Sequence, residues 1–397
     1  MRRSATGPLL SANALSAPAL YVHVPYCARK CEYCAFNSAA GRSRQEQARY
    51  VNAVLQETQR ALIDRQNHVS SIYVGGGTPT ELEPQELDRL LGGIAELTHR
   101  DKRCEWTVEA NPGTLTKPHI QALQRHGVNR VSMGVQSMDN ESLQRLGRVH
   151  DAEEVRSSVR ILREAGIQRI NLDLIYGQPW QSESGWLSDL DQILDLQPDH
   201  LSAYALQYEE GTPFLEALRQ GKLQACPDEQ VRQMFDLACQ RLEASGFHLY
   251  EISNFCREGQ ESVHNLNYWR NLEYYGIGAG AFGRIGSLRT RNVNSPVRYI
   301  ELVEGGASAV EETDHLGPRE DWMESLTSGL RTREGVSLAT LDERTGAQTQ
   351  RWCSGILEDL RGKGLVHADS ERLRLTHDGL WVLDSILVKL FEAWPRG

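Results

Sequence analysis

Tyr21-Val22-His23-Val24-Pro25-Tyr26-Cys27-Ala28-Arg29-Lys30-Cys31-Glu32-Tyr33-Cys34 reads as a short apolar strand that runs, past a proline, into a loop with three cysteines in eight residues. Thiolates at C-x3-C-x2-C spacing do not complete a tetrahedral zinc site, which takes four ligands. They can hold three irons of a [4Fe–4S] cluster and leave the fourth iron open for chemistry. A zinc knuckle with His23 as fourth ligand is the other reading of the loop. Five further cysteines, Cys104, Cys226, Cys239, Cys256 and Cys353, are scattered and read as small buried apolar residues.

Downstream of this loop one rhythm repeats. Strands are expected at Tyr21–Val24, Ser71–Val74, Glu105–Glu109, Arg130–Val135, Arg169–Ile175 and His200–Leu206. Helices are expected at Ser43–Asp64, Pro84–Leu97, Lys117–Arg125, Ala152–Ala165, Gly185–Leu196 and Glu229–Ala244. Alternation with short links means right-handed crossovers and a parallel sheet. Six units are too few for a closed eight-unit barrel, so the fold class is α/β, a partial (β/α)6 TIM-like barrel over 20–250. An open doubly wound sheet is the alternative. Either fold places its chemistry at strand C-termini. Gly75-Gly76-Gly77-Thr78-Pro79, Glu109-Ala110-Asn111-Pro112, Gln136-Ser137, Asp173 with Gly177-Gln178-Pro179, and Tyr208-Glu209-Glu210 all lie at strand ends, and Arg148 comes shortly after one. Their joint placement on one rim marks a site.

The 397 residues carry 43 Lys and Arg against 53 Asp and Glu, a formal charge of −10. That balance argues against binding to a phosphate backbone, so no nucleic-acid partner is expected. Residues 1–19 read as a flexible lead and not a signal peptide, which predicts a reducing, cytoplasmic setting without disulfides. Residues 251–317 form an expected barrel-mouth extension, with a linker at Glu304–Gly317. From 318 to 397, helices at Asp321–Leu330, Gln348–Lys363 and Leu380–Phe391 surround a hairpin of Leu365-Val366 with Leu373–Leu375. That order is winged-helix-like, an α+β domain suited to packing or to a partner.

The cysteine spacing after the first strand, with GGGTP after the second, resembles the radical S-adenosylmethionine superfamily. YVHVPYC, VSMGVQS and LIYGQP bring the resemblance closest to the oxygen-independent coproporphyrinogen III oxidase family. It implies that Cys27, Cys31 and Cys34 ligate the cluster and that S-adenosylmethionine chelates the open iron. It further implies that Tyr21, Gly75, Gly76, Gly77, Thr78, Glu109, Gln136, Arg148 and Asp173 bind this cofactor. In the oxidase branch of that family a fourth cysteine follows two residues after the third. Phe36 stands there in this chain, and only about 20 residues precede the first strand. His264-Asn265-Leu266-Asn267-Tyr268-Trp269 resembles instead the HNxxYW segment of the heme-chaperone branch, which implies His264 as a heme-binding residue. Phe282 stands where relatives commonly carry histidine. The resemblance implies delivery of heme to respiratory hemoproteins, an electron donor such as a flavodoxin or ferredoxin, a homodimer, and contact with the cytoplasmic face of a membrane. Oxygen-independent coproporphyrinogen III oxidase activity is the alternative function.

Overall fold

The computed structural model describes residues 17–63 and 67–395. Most of the expected lead lies outside the described residues, as does Asp64. Six parallel strands, Ala19–Val24, Ser71–Gly76, Glu105–Ala110, Arg130–Gln136, Arg169–Tyr176 and His200–Ala205, pair in strict chain order. A doubly wound sheet reverses its strand order at a switch point. No reversal occurs here, so the winding is that of a barrel segment.

The strands alternate with a period of two, as pleated backbone requires. Val131, Met133 and Val135, like Ile170, Leu172 and Leu174, are buried toward the helices. Arg130, Ser132, Gly134 and Gln136, like Asn171 and Asp173, face the barrel interior and line one cavity. Helices cover the outer face through apolar stripes. On Pro84–Leu97 the stripe is Leu87, Leu90, Leu91 and Ile94, all fully buried. Loss of one such leucine to alanine costs about 2–5 kcal/mol. Helix starts are capped where the sequence offers caps. Ser43 accepts from the Glu46 amide, and Asp151 with Glu154 forms a capping box ahead of Ala152–Glu164.

The segment 251–317 lengthens the sheet at both edges, and with the His248–Leu249 strand the sheet reaches twelve strands among the described residues, while Ile252, Ser253 and Asn265 of the same segment line the cavity. Asn254–Cys256 adds antiparallel to His200–Ala205, while Tyr274–Ile277 adds parallel to Ala19–Val24 and leads an antiparallel meander. The expected linker at Glu304–Gly317 is structured too. Val310–His315 is the edge strand, paired to Leu288–Asn292. All six of its residues are exposed, so no apolar alternation announced it; the backbone ladder and an Arg291–Glu312 ion pair at 2.7 Å hold it.

The C-terminal region has its own core around Trp322, Leu326, Leu373, Ile386 and Leu390, and a three-stranded antiparallel sheet. Val336–Ser337 joins the expected hairpin as its third strand. Two expected helices are each broken in two. Gln348–Lys363 bends at Cys353, and Leu380–Phe391 at Val382, where φ is −120° and ψ 22°. Val382 is β-branched, a residue type stiff at χ1 and less favoured in helices.

The helix Val263–Trp269 is held at the N-terminal end of the strands by one buried carboxylate. Glu105 accepts from the amides of Val263 and His264 at 3.0 Å each and from the Ser262 hydroxyl at 3.2 Å. Arg169 pairs with it at 3.1 Å. Burial alone would raise its pKa, but Arg130, Arg169 and these amides outweigh burial and hold the carboxyl below its ordinary value. Its stabilising contribution is therefore full above the ordinary carboxylate range and is lost as pH falls through the lowered folded value. Glu105→Ala, which leaves Arg169 without its carboxylate and two amides unpaired, is expected to cost about 3–5 kcal/mol in denaturant unfolding. A loss below 1 kcal/mol would show that the carboxylate does not anchor the helix.

Candidate functional site

The cysteine loop sits directly on the glycine loop. The Gly77 amide donates to Val24 O at 2.8 Å, and the Thr78 amide to Tyr26 O at 2.6 Å. Glycine is required for this approach. A Cβ on Gly77 would lie 2.6 Å from Tyr26 O, and one on Gly76 2.4 Å from the His23 ring. Gly76 also has φ of +112°, a region that L side chains rarely adopt.

These two loops form one wall of a cavity of about 800 Å³. Cys27, Cys31, Cys34, Gly76, Gly77, Thr78, Glu109, Gln136, Arg148 and Asp173 all line it. Ten of the expected site residues thus converge. Tyr21, Gly75 and His264 do not reach this cavity. Gly75 lies beneath it, against Tyr73 and the Glu109 carboxylate.

Arg148 ties the walls together. Its guanidinium donates to Asn111 Oδ1 and to Gly134 O, each at 2.6 Å, and to the sulfur of Cys31 at 3.4 Å. Its Nε is buried with no partner among the described residues. Burial pushes the Cys27 and Cys34 thiols upward, so these two need a metal to release their protons.

His23 is not placed as a fourth ligand. Its Nε2–H donates to Asn37 O at 2.8 Å and its Nδ1 accepts from Tyr21 at 2.9 Å. Three thiols on one short loop, a buried guanidinium and an adjoining glycine-lined hollow fit an iron–sulfur cluster with an organic ligand better than one zinc ion.

Glu109 is committed inside the protein. It accepts from Tyr73 OH at 2.6 Å and from the Gly76 amide at 2.9 Å, so it shapes the glycine loop. Gln136 follows a register shift in its strand and has φ of +73°, a strained conformation for a residue with a side chain. Asp173 is fixed by Asn171 at 2.7 Å, and burial raises its pKa. Glu209 reaches the cavity, while Glu210 pairs outward with Arg219.

The C-terminal region supplies a side wall. Leu380 and Trp381 line the cavity, Trp381 packs edge-on against Phe235, and His377 meets Asp236 at 2.6 Å. Arg130, Asn171, Ser202 and Tyr204 also line the cavity and were not foreseen. Polar side chains two apart in otherwise apolar strands, as in Asn171-Leu172-Asp173, were the available signal.

His264 lies at the opposite end of the strands. It is 1% exposed, its Nδ1 meets Ser71 Oγ at 2.9 Å and its Nε2 meets Tyr268 OH at 3.0 Å. It stacks on Tyr73, and burial lowers its pKa to about 4, so the ring is neutral. Tyr268 borders a second cavity of about 580 Å³, together with Tyr21, Tyr274, Lys30, Arg291 and the exposed rings of Phe36 and Phe282.

Burial raises Glu109 from an ordinary 4.5 to about 7. A raised carboxyl costs stability once the unfolded state ionises, so this part of the stability declines as pH rises from about 4.5 to 7. Glu109→Gln, which cannot ionise, is expected to remove that decline from a pH series of denaturant midpoints. Parallel curves for the two proteins would contradict the assignment.

Residues 21–193 match the family model of the radical SAM superfamily, and residues 316–382 match that of the HemN C-terminal domain. Heme chaperone HemW of Bacillus subtilis is 37% identical over 361 residues, covering 90% of this chain and 95% of that protein. Heme chaperone HemW of Mycobacterium tuberculosis is 34% identical over 373 residues, with 93% of each chain covered. The mitochondrial radical S-adenosyl methionine domain-containing protein 1 of Mus musculus is 35% identical over 404 residues, with 97% and 90% covered. The solved coproporphyrinogen III oxidase HemN of Escherichia coli superposes with a TM-score of 0.82 at 24% identity, over 95% of this chain and 92% of that one, which shows a common fold. The radical SAM match over the cysteine and glycine loops, with these relatives aligned along nearly the whole length, shows that the chain belongs to the HemW family of the radical SAM superfamily.

Proposed function

We propose that this chain is a heme chaperone that binds heme and passes it to hemoproteins, respiratory enzymes among them. Cys27, Cys31 and Cys34 hold a [4Fe–4S] cluster in this reading, and the adjoining cavity takes S-adenosylmethionine. The observation that carries it is the convergence of the three thiols, the glycine loop and Arg148 on one hollow, in a chain whose full-length relatives are named heme chaperone HemW.

When bound, the cluster and S-adenosylmethionine supply one-electron chemistry. The chain positions and shields. Gly76, Gly77 and Thr78 bring backbone polar groups to the cavity wall, and Arg148 sets a positive charge beside Cys31. Gln136 and Asp173 offer an amide and a carboxylate for the ribose and methionyl groups. Trp381 and Leu380 exclude water from one side.

His264 is the proposed heme ligand. Its Nε2 is covered by the Tyr268 hydroxyl, so ligation requires that hydroxyl to yield. Tyr268 borders the second cavity, whose aromatic rings suit a flat macrocycle. Lys30 and Arg291 there suit its carboxylates. An electron donor such as a flavodoxin or ferredoxin, a homodimer, and contact with a membrane surface belong to the same proposal. Among the described residues no helix is long and apolar enough to cross a membrane.

Phe36, 70% exposed where the oxidase branch has its further cysteine, counts against the oxidase alternative. An anaerobic assay with reductant and S-adenosylmethionine is expected to leave coproporphyrinogen III intact; its decarboxylation would overturn the chaperone reading. Anaerobic reconstitution is expected to load iron and sulfide into the wild type and to fail when Cys27, Cys31 and Cys34 are replaced by Ala. Heme titration followed optically is expected to show uptake reduced at least tenfold in His264→Ala. Stoichiometric uptake by that variant would remove His264 from the site.

A further inference from the structure

The hairpin of His248–Leu249 with Asn254–Cys256 closes one edge of the large sheet, away from the cysteine loop. Cys256 pairs with His200, the first residue of its strand, so the hairpin's ladder ends at the N-terminal end of the barrel strands. The antiparallel register places Cys256 directly opposite His248, and opposed residues share a face. Glu261 arrives on the loop that follows, where Arg169 donates to its main-chain carbonyl at 2.9 Å.

These three side chains converge on one point. Cys256 Sγ lies 3.5 Å from His248 Nε2, and Glu261 Oε1 lies 3.0 Å from the same nitrogen. All three ligand atoms fall within 4.8 Å of one another. A nucleophile relay needs the thiol on one ring nitrogen and the carboxylate on the other. Here both press on Nε2, and a single N–H cannot serve both. One cation at the point of convergence satisfies all three. Nearby, the side-chain oxygen of Gln260 is buried with no partner among the described residues.

We propose that His248, Cys256 and Glu261 form a binding site for a zinc-class divalent cation. The donor set of one thiolate, one imidazole and one carboxylate selects a borderline-soft ion over magnesium or calcium. Bond lengths of about 2.3 Å to sulfur and about 2.0–2.2 Å to nitrogen and oxygen put tetrahedral ligands about 3.4–3.6 Å apart. The observed 3.5 Å and 3.0 Å need only a small turn of the exposed carboxylate. His248 and Glu261 are partly open to solvent while Cys256 is buried, so water takes the fourth position. Binding replaces the thiol proton of Cys256, which leaves to solvent. The ion would clamp the edge hairpin to the loop ending at Ser262, the cap of the helix that carries His264. Its role at this end of the barrel is structural.

The test uses full-length protein with its iron–sulfur cluster assembled, so that Cys27, Cys31 and Cys34 are occupied. The protein is equilibrated anaerobically with zinc, desalted, and analysed for zinc and iron. About one zinc per chain is expected in the wild type, with a zinc K-edge spectrum showing one sulfur among lighter ligands. Less than a tenth of that zinc is expected in Cys256→Ser and His248→Ala, at unchanged iron. Glu261→Gln alters only a partly exposed loop side chain, so it keeps the test valid if the buried cysteine variant misfolds; its zinc Kd should rise at least tenfold. No bound zinc in the wild type, or equal zinc in the variants at equal iron, overturns the proposal.

Discussion

The site depends on the approach of two backbones. The strand that ends in the cysteine loop and the strand that ends in the glycine loop are neighbours, and their extensions stay hydrogen-bonded past the sheet, at 2.8 Å and 2.6 Å. Gly76 and Gly77 make this possible, since any Cβ there would strike His23 or the Tyr26 backbone. The cysteine loop is thereby held against a fixed floor.

Charge is placed with equal economy. Among the described residues, Arg148 is the cation that touches both the cysteine loop and the barrel wall, through Cys31, Asn111 and Gly134. Around it stand carboxylates whose ionisation burial opposes, Glu109 and Asp173. A charge contact made in such an interior is stronger than the same contact in water. At the other end of the strands the balance differs. Glu105 remains ionised between Arg130, Arg169 and a helix start, and it fixes the helix that carries His264. The two ends are linked by Tyr73, which bonds Glu109 and stacks on His264.

The C-terminal region takes part in this architecture. Leu380 and Trp381 close one side of the cavity, and His377 and Asp378 reach Asp236 and Arg232 on the barrel's last helix.

The sequence by itself determined the winding and the first ring of residues. Period-two and period-3.6 patterns located the six parallel strands and their helices, because buried faces must be apolar. Cysteine spacing and the triple glycine located the loops, because thiolate ligation and close backbone approach admit few other residues. The tertiary structure alone decided the rest. It bonded Glu109, on the cavity wall, to Tyr73 and Gly76, and it drew Arg130, Ser202 and Tyr204 into the cavity. It made Val310–His315 a strand although no apolar face marks it. It also put His264 at the floor of the barrel with both ring nitrogens engaged. Those outcomes depend on which residues meet across strands far apart in the chain, and local pattern carries no record of such meetings.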